Sequence, residues 1–266
     1  MDNTSQGSAR LIGKSAIITG AGRGIGRQIA LSFVRESCAV LINDLGKSEI
    51  EQVVAETREA GGRSLGVQAD VSRRVEVERL VGEAISVFGK IDVLVNNAGL
   101  ISFGTFLELT EEEWDRIYAV NVKGVFLCCQ IAGRHMRELE AGSIINIASI
   151  AGKTAGLFAP HYASSKAAVI SLTQALAKEL APQHIRVNAI CPSFVETEML
   201  AGFERAQARR LGLEEKAVKD TYLQLSGWHR MGTPTDVAEL AVFLASSESE
   251  YITGQAINIC ALGELH

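Results

Sequence analysis

What this sequence lacks narrows the field first. It has no surplus of basic residues: 26 Lys and Arg against 31 Asp and Glu leave a formal charge of −5. The cations are also scattered, which argues against nucleic acid or an anionic membrane as partner. Its five cysteines, Cys38, Cys128, Cys129, Cys191 and Cys260, form no Cys-x-x-Cys pair and no metal spacing with the five histidines. No metal site is therefore expected, and free, mostly buried thiols in a reducing cytoplasm are. No apolar run approaches the roughly 20 residues needed to cross a bilayer. Met1 to Arg10 is polar, has no signal-peptide core and reads as a flexible tail. No linker, repeat or low-complexity segment interrupts the chain. The composition, 47% hydrophobic over 266 residues, suits one cytoplasmic α/β domain spanning residues 1–266 with an ample core.

What is present centres on Ser149 to Lys166. Tyr162 and Lys166 are four apart after Pro160, so on a helix they lie one above the other. An ammonium held beside a phenol favours the phenolate, lowering a pKa that is about 10 in free tyrosine. A shift of roughly three units represents about 4 kcal/mol and would bring proton exchange towards neutral pH. Ser149 follows an apolar strand-like run, from which its hydroxyl reaches towards the same reacting oxygen.

Upstream, Lys14 to Thr19 reads as a buried strand, and Gly20-Ala-Gly-Arg23-Gly24-Ile25-Gly26 leads from it into a helix over Arg27 to Glu36. A glycine-rich turn of this kind lets backbone approach a pyrophosphate at a helix N-terminus. Asp44 closes the second strand, 18 residues beyond Gly26, where a carboxylate accepts both ribose hydroxyls of an adenosine and repels a 2′-phosphate. Arg23 pulls the other way, since a basic residue in the loop welcomes a phosphate. Asp44 carries more weight, and NAD is favoured over NADP. Asp70 and Val71 follow the third strand, at Ser64 to Ala69, in reach of an adenine. Asn96-Asn97-Ala98-Gly99 follows the fourth, at Ile91 to Val95, and serves equally as a brace or as a cofactor contact. Thr110 and Glu113 make a capping box for a helix running through to Cys129. Asn121 lies inside it against its propensity, placed to bend the helix or hold a water. Strands five to seven are read at Ser143 to Ala148, Ile185 to Cys191 and Ala256 to Cys260. The helix carrying Tyr162 is apolar on several faces, which predicts packing against an identical subunit. Residues 198–233 form a long insertion after a strand's carboxyl end, where lids and specificity loops sit.

Together these pieces resemble the short-chain dehydrogenase/reductase family from about Leu11 to Ile259: Thr19-Gly-x-x-x-Gly-Ile-Gly26, Asn96-Asn-Ala-Gly99, Asn121, Ser149 and Tyr162-x-x-x-Lys166. The resemblance implies a doubly wound Rossmann fold, a seven-stranded parallel sheet in the order 3-2-1-4-5-6-7 with helices on both faces. It implies NAD(P) as cofactor and a homotetramer built through the two long helices. Tyr162 would then pass the hydroxyl proton, Lys166 would lower its pKa and bind the nicotinamide ribose, Ser149 would steady the substrate oxygen, and Asn121 would hold a relay water. Pro192, Val195 and Thr197 match the segment that touches the nicotinamide side and phosphates, completing a cofactor set with Gly20, Arg23, Gly24, Ile25, Gly26, Asp44, Asp70, Val71, Asn97, Ala98, Gly99, Tyr162 and Lys166. Two departures stand out: Ser193 where the family has glycine, and Cys260-Ala-Leu where it has Asp-Gly-Gly.

Within the family, Arg230-Met-Gly-Thr-Pro234 and the long insertion are similar to bacterial polyol, sorbitol and acetoin/2,3-butanediol dehydrogenases. The leading expectation is accordingly an NAD-dependent oxidoreductase for a secondary alcohol, diol, polyol or hydroxyketone. An NADPH-dependent carbonyl or 3-ketoacyl reductase is the alternative, and a non-catalytic nucleotide-binding protein the second. Ile150, Ala151, Lys153, Phe158, His161, Ser193 and Phe194 are the candidates to face a small-molecule substrate, with Lys153 and His161 offering a charged wall for a polar or anionic substrate or, as such residues more often do, facing solvent at the cleft mouth.

Overall fold

Seven short runs rich in β-branched and aliphatic residues form parallel strands; the five central ones are buried on both faces, as strands covered by helices must be, and the two at the edges are partly exposed. In the computed structural model, which describes residues 9–154 and 159–263, the seven are β1 (Ser15–Ile18), β2 (Ala39–Asp44), β3 (Ser64–Gln68), β4 (Val93–Asn96), β5 (Gly142–Ile147), β6 (Ile185–Pro192) and β7 (Ala256–Ile259). All pair in parallel, in the order β3-β2-β1-β4-β5-β6-β7. Successive side chains point to opposite faces, and the core divides accordingly. Ala16, Ile18, Val93, Val95 and Ile145 pack on one face under α1 (Gly24–Arg35), α2 (Lys47–Glu59) and a late helix, Pro234–Ala245. Ile17, Leu94 and Ile144 pack on the other under α3 (Arg74–Phe88) and two long helices described below. Each fully buried aliphatic side chain contributes about 2 kcal/mol of transfer free energy. Emptying the place of the wholly buried Phe33 would cost about 3–5 kcal/mol.

The order reverses between β1 and β4, which opens a crevice at the carboxyl ends of those strands. Everything that points to chemistry follows a strand's carboxyl end.

The helix read from Thr110 towards Cys129 is divided at Asn121. Thr110 caps α4 (Glu111–Tyr118) by accepting from Glu113 N at 3.2 Å, with Glu113 reaching back. A π-helical turn over Ala119–Gly124 then carries Asn121, and α5 (Val125–Glu138) continues. The cause is tertiary: Asn121 is wholly buried and its amide is bonded to Leu100, while a Cβ on Gly124 would come within 2.9 Å of the Val71 side chain. α6 (Pro160–Leu180) begins on a proline, whose missing N–H costs nothing in a first turn. The two amides Asn96 and Asn146, both buried, join β4, β5 and α6: Asn96 donates to Asn146 at 2.8 Å, and Asn146 to Thr173 at 2.9 Å.

The insertion forms α7 (Glu198–Leu211) and α8 (Glu215–Leu225) around a small core of Ala208, Val218, Tyr222 and Met231. Its two ends are tied together, Gly232 N donating to Phe194 O and Glu196 N to Gly232 O, each at 2.9 Å. α9 (Pro234–Ala245) follows a second capping box, Thr233 with Asp236. Of the tail expected to be flexible, Met1–Ser8 lies outside the described residues. Arg10 is held: its guanidinium meets Glu36 at 2.7 Å.

Candidate active site

The turn after β1 is shaped by backbone crowding. Gly20 adopts φ +61°, and a Cβ there would lie 2.7 Å from Ala98 Cα. On Gly26 it would lie 2.4 Å from both Gly20 O and Asn97 Nδ2. No larger residue fits without moving the turn. Arg23 stands at the N-cap of α1 in extended conformation, with no side-chain cap and no acid in the first turn. The first-turn N–H groups of α1 are therefore free of a side-chain acceptor at the positive end of the helix dipole, which fits a pyrophosphate.

Asp44 both supports this turn and borders it. Its carboxylate accepts Gly22 N at 2.9 Å and Leu45 N at 2.7 Å, and an ionised carboxylate has about four acceptor sites, so capacity for ribose hydroxyls remains. Arg23 pairs with Glu198 on α7, at 2.7 Å. Asp70 is taken by Ser72, which donates its N–H and hydroxyl at 2.9 and 2.7 Å. Val71 is buried. Asn97 acts as a brace, donating to Thr19 O and Gly20 O at 3.0 and 2.7 Å, while Asn97 N and Ala98 N donate to Thr19 Oγ1.

Ser149 follows β5 and caps a short turn by accepting from Ala151 N at 3.1 Å. Tyr162 and Lys166 are one turn apart on α6, with the Lys166 Nζ 5.7 Å from the Tyr162 ring centroid and bonded to Ile147 O at 2.8 Å. Asn121 donates to Leu100 O at 2.9 Å and Ser165 Oγ at 3.0 Å. Asn121 Oδ1 and Lys166 Nζ flank Gly99, each 3.5 Å from where its Cβ would be. The four residues thus converge on one end of the crevice.

Their electrostatics correct one expectation. The Tyr162 phenol is pushed above its ordinary value by burial, with the Ser149 hydroxyl pulling it partly back. Burial also lowers Lys166, to about 8. The ammonium lies over the ring and bonds a carbonyl, so desolvation outweighs its pull on the phenol.

A cavity of about 490 Å³ opens from Ser149, Tyr162 and Lys166 and reaches α7 and α8. Ile25, Gly99, Pro192, Val195 and Thr197 border it, as do four of the substrate-facing candidates: Ile150, Ala151, Ser193 and Phe194. Lys153 and His161 do not. Lys153 is drawn to Ala256 O at 2.7 Å. His161 is wholly buried and pairs with Ser102 Oγ at 2.7 Å. The charged wall expected from them is absent among the described residues, because each side chain found a partner inside the fold. Phe158 lies outside the described residues.

Several lining residues were not anticipated: Ile101, Leu200, Phe203, Gln207, Tyr222 and Ser226. A signal existed for some, since Met199, Phe203 and Gln207 recur every fourth position on α7 and all border the cavity. The tail that departs from the family pattern also reaches it, through Cys260 and Gly263. Ala261 and Leu262 there take φ of 43° and 75°, left-handed values that glycine would adopt without strain. Among the described residues, no three His, Cys, Asp or Glu side chains converge to hold a metal, and no helix is long and apolar enough to cross a membrane.

The sheet order, the glycine turn and the Ser-Tyr-Lys cluster define a nicotinamide-dependent oxidoreductase class, and comparison places the chain within it. Residues 14–208 match the short chain dehydrogenase model, and the protein belongs to the short-chain dehydrogenase/reductase family. It is 39% identical to a 3-oxoacyl-(acyl-carrier-protein) reductase of Staphylococcus epidermidis over 92% of this chain and 97% of that one. The corresponding reductase of Thermotoga maritima is 39% identical over 94% of this chain and 97% of its own. Among solved structures, a variant of the actinorhodin polyketide ketoreductase with NADPH superposes with a TM-score of 0.92 at 34% identity, covering 95% of this chain and 98% of that one. These relatives are ketone reductases, not the polyol and acetoin dehydrogenases expected from the insertion.

Proposed function

We propose that this protein is a carbonyl reductase, converting a ketone to a secondary alcohol with a nicotinamide dinucleotide held on the Gly20–Gly26 turn. The observation that carries this reading is a Tyr162 phenol, kept protonated by burial, at the end of a largely apolar cavity. The dinucleotide, when bound, supplies the hydride that the carbonyl carbon takes. The Oη–H bond of Tyr162 breaks as its proton passes to the carbonyl oxygen, and Ser149 donates a hydrogen bond to that oxygen as charge develops. Lys166 supplies the nearby positive charge. Asn121 acts one step back, fixing Gly99 and Leu100 beside that ammonium, at the place where a water relay would begin.

A charged wall would suit a polar or anionic substrate, but Lys153 and His161 are engaged elsewhere and the lining is mostly apolar. The 3-oxoacyl relatives support the ketone reading. For the cofactor, Asp44 favours NADH, because a second negative charge placed about 4 Å away would be repelled by roughly 4 kcal/mol at an effective dielectric constant near 20. The opposing observation is Arg23, which would serve a 2′-phosphate if Glu198 released it. Residues 198–233 act as the lid. The small-residue surface of α6, with exposed Ala167 and Ala175, together with α5 suits a homotetramer; light scattering at the monomer mass would refute that assembly.

The decisive experiment follows absorbance of the reduced nicotinamide, with NADH and NADPH in parallel, over a panel of ketones, 3-oxoacyl thioesters, diols and polyols. Reduction of ketones or thioesters, with NADH the better donor, is expected. Turnover confined to polyols would overturn the reading.

A further inference from the structure

The far wall of the cavity is aromatic, and its rings come from separate parts of the chain. Phe194, just after β6, stacks on Tyr222 of α8 with centroids 4.0 Å apart and planes 10° apart. Phe203 of α7 is nearly parallel to the same Tyr222, at 5.9 Å and 3°. Phe103, in the segment after β4, backs Phe203 at 4.9 Å. Three of these rings, Phe194, Phe203 and Tyr222, border the cavity. Such an array prefers a ligand ring in offset or edge-on contact to a flexible chain, which would lose rotational freedom for no gain in direction.

Two polar groups stand within this apolar end. The Tyr222 phenol donates to Gln207 Oε1, which fixes the amide so that its two N–H groups remain available; no protein acceptor for them occurs among the described residues. Ser226, at the end of α8, is nine-tenths buried and borders the cavity, and its Oγ has no partner among the described residues. A buried hydroxyl without a partner is costly, and a ligand group that bonds it recovers that cost.

We propose that the substrate is a ketone bearing an aromatic or fused-ring arm, with a hydroxyl or carbonyl substituent on the side of that arm remote from the reacting carbon. The carbonyl meets Ser149 and Tyr162, the ring lies against Phe194, Phe203 and Tyr222, and the distal oxygen bonds Gln207 and Ser226. This rests on the ketone-reductase reading and narrows it, setting ring-bearing ketones above linear acyl ketones.

The test uses acetylnaphthalene, its ring-hydroxylated derivative, a linear methyl ketone of equal carbon number and butanone as probes. Wild-type kcat/KM is expected to be about tenfold higher for acetylnaphthalene than for the linear ketone, and about tenfold higher again for the hydroxylated probe. Phe203→Leu keeps the apolar volume and removes the ring. It should cost the naphthyl probes about tenfold more than it costs butanone. Gln207→Leu and Ser226→Ala should each erase most of the preference for the hydroxylated probe. Calorimetric titration of the hydroxylated probe gives the same ranking independently of turnover, and thermal melting confirms that each variant is folded. Equal turnover of linear and naphthyl ketones, or a uniform loss on every probe in Phe203→Leu, would overturn the inference while leaving the ketone reductase intact. Calorimetric binding without reduction of any ketone would instead sink the enzymatic reading.

Discussion

The two sides of the cleft are built by different means. On the dinucleotide side, recognition is a matter of backbone: the glycine-rich stretch from Gly20 into the first turn of α1, crowded until added atoms at Gly20 and Gly26 would sit 2.4 to 2.7 Å from neighbours, and held by Thr19 and Asn97. On the substrate side, the groups are side chains from four separate stretches: Phe103 and Phe194 follow β4 and β6, while Phe203 and Tyr222 are carried on α7 and α8, a pair of helices tied to the remainder partly by exposed ion pairs such as Arg210 with Glu108 and Arg23 with Glu198. The lesson concerns what each side can tolerate. A backbone cradle has almost no room for sequence change and serves one ligand. A wall of side chains on a semi-independent pair of helices can be refashioned without disturbing the sheet.

The sharpest way to break this comparison is at the chemistry itself. Tyr162→Phe should lower ketone reduction about 10³-fold, the scale of general acid catalysis, while fluorescence titration shows dinucleotide affinity changed by less than about twofold. Loss of both together would mean that the two sides are one unit. Gly26→Ala is the converse: its methyl would meet Gly20 O and Asn97, and dinucleotide affinity should fall about 100-fold, since crowding of this kind costs about 1–3 kcal/mol. Calorimetric binding of acetylnaphthalene should survive.

Asp44→Asn keeps an acceptor for Gly22 N but removes the charge. It should narrow the preference of NADH over NADPH by at least about tenfold, or about 1.4 kcal/mol, the part of the Coulomb repulsion that solvent and salt leave unscreened at this half-buried position, read from paired Kd values. An unchanged ratio would show that Asp44 is only a brace.

The pH profile separates the two ionisable partners. Burial lowers Lys166 to about 8, so its charge is lost as pH rises through that value, whereas burial raises Tyr162 and preserves its proton. Reduction is expected to bend downward a few-fold near pH 8, and Lys166→Arg, charged at every accessible pH, should straighten the curve. A bend that persists in that variant would have to come from another group. The smallest effect belongs to Glu198→Gln, which frees Arg23. An exposed ion pair is worth about 0–1 kcal/mol, so NADPH affinity should gain no more than about fivefold, and no change at all would show that Arg23 plays no part in cofactor choice.

Much of the dinucleotide side was legible in the chain because its determinants are contiguous. Strand, glycines, helix and Asp44 are read in one pass, and the parallel order followed once the family resemblance was in hand. The poor propensity of Asn121 marked the place where the helix could bend, and the π-helical turn falls there, but nothing within Thr110–Cys129 reveals that Leu100 would claim the asparagine amide. Lys153 and His161 look like pocket residues by position, yet Ala256 O and Ser102 Oγ, 103 and 59 residues away, decide where they point. The acidity of Tyr162 was anticipated from its neighbour Lys166 alone, and the surrounding core reversed the direction.

By itself the sequence determined the strand-turn-helix that receives a dinucleotide and the spacing that puts Ser149, Tyr162 and Lys166 in one neighbourhood, since local periodicity and backbone sterics are enough for both. Only the tertiary structure decided how deeply those groups are desolvated and which rings face them. Desolvation and ring contact depend on atoms brought together from distant parts of the chain, and no local pattern records them.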